Sequence, residues 1–172
     1  MWLNPWKNAA SMISSARILA APLFFYAVKY DQQTGAIMLW LFACATDVVD
    51  GYIARQTQSA STFGAYLDVT ADFLFIFTAF ATFVQRDIYP GWLLLIIGGM
   101  FGQFLLTSRQ RRLVYDPIGK YYGAILFAAI GITLLLVDFA VQYAMLMSIV
   151  CLTGASLLSR WVLTSELRKP TK

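Results

Sequence analysis

Histidine is absent from this chain of 172 residues, and charge of either sign is scarce. Without an imidazole there is no Ser-His-Asp triad and no histidine-ligated zinc, so a side-chain proton acceptor is expected to be an aspartate. Only nine Asp and Glu stand against thirteen Lys and Arg, and charged residues make up 13% of the sequence. The two cysteines, Cys44 and Cys151, lie in apolar stretches without metal-ligand spacing, where buried free thiols are expected. Repeats, low-complexity tracts and linkers are missing. The first dozen residues also lack the basic, apolar and small-residue succession of a cleaved signal peptide.

What is present is apolar: 59% of residues are hydrophobic and the mean hydropathy is +0.65. A soluble domain of this size could not cover so much apolar surface, so the expected class is an all-α integral membrane protein. Apolar stretches run over about 13–28, 35–54, 64–84, 91–107, 121–137 and 141–163. Each is near the roughly 20 residues that cross a bilayer as a helix. The expectation is a single domain over 1–172, with an interfacial segment at 1–12 rich in Trp and Lys, six transmembrane helices over 13–163 and a tail at 164–172.

Lys7, Arg17, Arg55, Arg109, Arg111, Arg112, Lys120, Arg160, Arg168, Lys169 and Lys172 would fall on one side, and only Lys29 and Arg86 on the other. That asymmetry places both termini in the cytoplasm, with the protein in a cell inner membrane or its equivalent. The net charge of +4 then reflects topology rather than nucleic-acid binding. Asp87, Asp116, Asp138 and Glu166 are expected as solvated charges, and the aromatic side chains as mostly lipid-facing. Gly98 and Gly102 have the G-x-x-x-G spacing of helix packing.

Against this background four of the nine acids, Asp47, Asp50, Asp68 and Asp72, lie inside or at the ends of two apolar stretches. A lone carboxylate in hydrocarbon costs about 2.5–3.5 kcal/mol on insertion scales, so four in one segment read as a site. Asp47 and Asp50 are three apart on one helix and Asp68 and Asp72 four apart on the next, so each pair lines one face. The small, polar stretch QTQSASTF lets the two helices return antiparallel, bringing the four together near the cytoplasmic end. Carboxylates so crowded cannot all stay ionised without cations. Two divalent ions with oxygen ligands, Mg²⁺ or Mn²⁺, answer that need. Gly51 and Ala54 clear bulk beside them, and Arg55 carries a guanidinium fork suited to a diphosphate.

The full pattern, D-x-x-D-G-x-x-A-R, eight residues, then G-x-x-x-D-x-x-x-D, resembles the signature of the CDP-alcohol phosphotransferases at every fixed position. The resemblance implies an enzyme of phospholipid biosynthesis that moves a phosphatidyl group from a CDP-linked lipid to an alcohol and releases CMP. It also implies that Asp47, Asp50, Asp68 and Asp72 hold two divalent metals, with Asp72 the catalytic base. Gly51, Ala54 and Arg55 would contact the CDP group, Gly64 would allow close packing, and a homodimer is expected. In the first helix Ser14, Arg17 and Pro22 fit a family pattern, while the Asn often found at the position of Ser11 is absent.

For the acceptor, two readings of Arg109, Arg111, Arg112, Lys120 and Arg160 stand side by side. They form a pocket for a phosphorylated polyol, or they are ordinary cytoplasmic loop charges. The stretch DPIGKYYGA resembles the opening of helix five in phosphatidylglycerophosphate synthases, but LDVTAD lacks the Pro and following Lys common there. Serine, inositol and phosphatidylglycerol are the alternative acceptors. A cation carrier would use the same aspartates, but it has no need of a nucleotide notch at fixed spacing.

Overall fold

The computed structural model describes the backbone of residues 5–57, 62–109 and 117–167, and side chains within 16–49, 68–103, 105 and 121–159. Six helices follow one another: α1 Pro5–Lys29, α2 Gln33–Thr57, α3 Thr62–Gln85, α4 Trp92–Arg109, α5 Pro117–Leu135 and α6 Phe139–Leu167. No strand occurs among the described residues. Pro5 opens α1 at a position where its missing N–H costs nothing. Residues 5–12, expected as a separate interfacial segment, continue into the rest of α1 as one helix.

Two helices stop in the same way. At the end of α1 the Gln32 N–H bonds the Ala27 carbonyl at 2.8 Å and the Asp31 N–H bonds the Val28 carbonyl at 3.2 Å. At the end of α3 Ile88 bonds Phe83 at 3.0 Å and Asp87 bonds Val84 at 3.1 Å. Both are Schellman closures, and the left-handed residue each requires is an aspartate, Asp31 at φ 57° and Asp87 at φ 56°. Aspartate tolerates that region better than most side chains. Arg86 then donates to Asp31 at 2.6 Å, joining the two closures. Helix α6 begins differently: the Asp138 carboxylate caps it by accepting from the Ala140 N–H at 2.7 Å.

Helix α1 packs closely on both α2 and α3, and α5 lies against α2, α3 and α6. The expectation of outward-facing aromatics holds for Tyr30, Trp92, Tyr121 and Phe139, which are exposed, but not for the rings of the core. Phe24, Phe75, Phe80, Phe83 and Tyr89 are buried, with Phe24 set edge-on to Phe75 at 5.3 Å and Phe83 edge-on to Phe80 at 6.1 Å. Such contacts supply dispersion where lipid tails offer no hydrophobic gradient between helices. Helices α2 and α5 are pinned by two side chains. Gln33 donates to the Leu134 carbonyl and Trp40 to the Phe127 carbonyl, each at 2.9 Å. The indole lies against Gly131, where an added Cβ would overlap the ring. Of the expected G-x-x-x-G pair, Gly98 packs on Phe77 of α3, where a Cβ would lie at 3.8 Å, and Gly102 meets nothing described within 4 Å.

Apolar side chains face outward as well as inward, and the buried threonines are satisfied within the bundle. Thr82, Thr133 and Thr153 are buried, and each donates its hydroxyl to the carbonyl four residues back at 2.7–2.8 Å. Outside, Leu19, Met38, Val48 and Leu95 are 66–78% exposed. Both cysteines are free, but only Cys44 is partly covered; Cys151, expected to be buried, faces outward. The stretches Asp68–Gln85 and Phe139–Ser159 are long and apolar enough to cross a membrane, and three shorter apolar stretches lie in α2, α4 and α5.

Candidate active site

Asp47 comes from α2, and Asp68 and Asp72 from successive turns of α3. Because the two α3 residues are four apart they share a face, and that face meets the end of α2 that carries Asp47. One carboxylate oxygen from each of the three lies within 4.8 Å of the others. This is the convergence expected from the spacing, for three of the four acids. Asp50 belongs to α2 one turn beyond Asp47, but its side chain lies outside the described residues.

A fourth group stands among them. Arg17 of α1 is fully buried, and its Nη2 bonds Asp68 Oδ1 at 2.6 Å while its Nη1 bonds Asp72 Oδ1 and reaches Asp47 Oδ1 at 3.4 Å. A guanidinium cannot shed its proton in a protein, so a buried one must meet carboxylates or lose several kcal/mol of solvation uncompensated. Its planar fork engages two α3 carboxylates at once, through two different nitrogens held in fixed geometry. Sequence reasoning counted Arg17 among the cations of the cytoplasmic side and matched it to the family's first-helix pattern, but did not include it among the site residues. The signal was available: Arg17 falls inside the first apolar stretch, where a charge needs a partner.

Three carboxylates and one guanidinium sum to a formal charge of −2, and the donors are hard oxygens on two helices. That set fits a divalent cation of the Mg²⁺ or Mn²⁺ kind, with Asp47, Asp68 and Asp72 as its holders. The partial exposure of Asp47, half-open to the outside, leaves a way in.

The remaining expected residues are placed by backbone alone. Gly51 and Ala54 fall on the same face of α2 as Asp47, Arg55 follows them, and Gly64 lies in the first turn of α3. Arg109 ends the described part of α4, Lys120 is in the first turn of α5 and Arg160 is on α6. The side chains of these residues, and Arg111 and Arg112 altogether, lie outside the described residues. Their expected assembly into an acceptor pocket therefore falls outside the described residues.

Comparison with known proteins agrees with this geometry. Residues 7–161 match the model of the family described as CDP-alcohol phosphatidyltransferase. A CDP-diacylglycerol--glycerol-3-phosphate 3-phosphatidyltransferase of Pseudomonas fluorescens is 34% identical over 60% of this chain and 54% of its own. One of Bacillus subtilis (strain 168) is 32% identical over 68% of this chain and 66% of its own. A cardiolipin synthase (CMP-forming) of Streptomyces coelicolor is 29% identical over 62% of this chain and 53% of its own. The chain thus spans between half and two thirds of the length of these relatives. No solved structure matches it. The family match reaches all six helices and takes in the candidate site residues from Arg17 to Arg160, and the chain belongs to the CDP-alcohol phosphatidyltransferase family.

Proposed function

We propose that this chain transfers a phosphatidyl group from a CDP-linked lipid, of the CDP-diacylglycerol kind, to the hydroxyl of a small phosphorylated polyol, releasing CMP. The observation that carries the reading is the meeting of Asp47, Asp68 and Asp72 at one point, from two helices, inside the family's D-x-x-D-G-x-x-A-R and G-x-x-x-D-x-x-x-D pattern. Glycerol 3-phosphate is the favoured acceptor, because the Pseudomonas and Bacillus relatives carry it in their names.

In this reading Asp47, Asp50, Asp68 and Asp72 hold two divalent cations. When bound, these supply charge neutralisation at the diphosphate and at departing CMP. The chain's own residues do the rest. Gly51 and Ala54 leave room for the nucleotide against α2, and Arg55 forks onto the diphosphate. Asp72 accepts the acceptor's hydroxyl proton through its carboxylate. Gly64 lets α3 start close to its neighbours. Arg109, Arg111, Arg112, Lys120 and Arg160 draw the phosphorylated acceptor to the same end.

All six helices span the membrane in this reading, with the acid cluster and both described ends of the bundle on the cytoplasmic side. Buried threonines and outward leucines support it, as does the bias of Lys and Arg. Residues 1–172 form one domain, and two copies pair as a homodimer.

The test is CMP release by the purified chain with CDP-diacylglycerol and Mg²⁺ or Mn²⁺. The acceptors to offer are glycerol 3-phosphate, inositol 1-phosphate, inositol, serine and phosphatidylglycerol, with a blank. Release that requires both metal and glycerol 3-phosphate is expected. Release with phosphatidylglycerol instead would move the chain to the cardiolipin-synthase chemistry of the Streptomyces relative's name. No release with any acceptor would sink the reading.

A further inference from the structure

We propose that Arg17 is a stand-in cation: its guanidinium holds Asp47, Asp68 and Asp72 together while no metal is bound, and yields them when a divalent ion enters. The inference rests on the reading above, since it takes these carboxylates as metal ligands. Arg17 contacts one oxygen, Oδ1, of each of the three residues. Those contacts set a cationic group against the three carboxylates whose oxygens lie within 4.8 Å of one another. A metal and a guanidinium set against the same carboxylates compete for them, because like charges so close repel.

Loss of a proton cannot relieve the conflict, because arginine stays charged. The guanidinium must therefore swing aside, which the rotatable bonds of its side chain permit. In the metal-free chain Arg17 keeps three carboxylates from repelling one another and keeps α1, α2 and α3 together at this level. The same contacts oppose metal binding. Arg17 is thus a positioning residue that sets how tightly the metal is held, and the sign of its effect is opposite to that of a residue that merely supports the ligands.

The experiment uses the full chain in phospholipid nanodiscs, without donor or acceptor. Mn²⁺ binding is followed by electron paramagnetic resonance, and thermal unfolding is followed with EDTA and with saturating Mn²⁺. Arg17→Gln should bind Mn²⁺ at least about tenfold more tightly than the wild type. It should also unfold at a lower temperature than the wild type in EDTA, with most of that gap closed by Mn²⁺. Arg17→Lys keeps the charge but not the fork, and should bind with an affinity between the two. Equal or weaker Mn²⁺ binding by Arg17→Gln overturns the inference, as does an unchanged unfolding temperature in EDTA. If Arg17→Gln does not fold, Arg17→Lys decides alone: tighter binding than wild type supports the proposal and equal or weaker binding overturns it. A wild-type chain that binds no Mn²⁺ overturns the metal reading itself. Wild-type binding that Arg17 substitutions leave unchanged overturns only the stand-in role.

Discussion

Helices α1 and α3 are joined by arginine–aspartate pairs at two levels, and the two pairs are built in opposite ways. Arg17 meets Asp72 near the middle of both helices and Arg86 meets Asp31 just past their C-terminal ends, with the same separation of 55 residues in sequence. The helices therefore run parallel in fixed register, and the pairs stand about 21 Å apart at 1.5 Å per residue. At the first level the cation comes from α1 and is fully buried; at the second it comes from α3 and both partners are open to solvent. The open pair lies beside Phe83 and Tyr89, where close aromatic packing already holds the helices. At the buried pair the charges themselves do the holding, and that level contains the motif acids. Stability and chemistry are thus segregated along the same two helices.

The largest effect should come from the acid level. Asp72→Asn should lower CMP release by about a thousandfold or more while CDP-lipid binding persists, because it removes the proton acceptor. Full activity in that variant would break the assignment and with it the contrast between the levels. An intermediate effect is expected from Phe83→Ala. It leaves a void among Phe24, Phe80 and Tyr89 and should cost about 3 kcal/mol, read as a lower unfolding temperature. CMP release per folded molecule should be unchanged; a matching loss of turnover would show that the levels are not separable. The smallest belongs to the open pair: Arg86→Gln should shift stability by no more than about 0.5 kcal/mol. A larger drop would mean that the joined helix closures, and not only the aromatic packing, hold this level.

Much of this was legible beforehand, and the limits have physical causes. The helices lie near the apolar stretches because each such stretch must satisfy its own backbone. Asp68 and Asp72 share a face because helical periodicity demands it, and their meeting with Asp47 follows from a short connection. Periodicity does not reveal which neighbour a face meets, so the 55-residue register that sets Arg17 against Asp72 could not be read. Helices apolar all round likewise do not distinguish a lipid-facing phenylalanine from Phe75 in the core. Cys151 was misplaced for the same reason.

Trp40 and Gln33 carry one more consequence. Seven residues separate them on α2, and the carbonyls they bond, Phe127 and Leu134, are seven apart on α5 in the reverse order. The two helices are graduated against each other like the scales of a slide rule, with the indole over Gly131 as the stop that prevents sliding. One more step of seven along each scale brings the backbone of Lys120 level with Asp47. The height of the first turn of α5 above the acid cluster is therefore set by a count of residues, and an insertion between Asp47 and Trp40 or between Lys120 and Phe127 would put the two out of step.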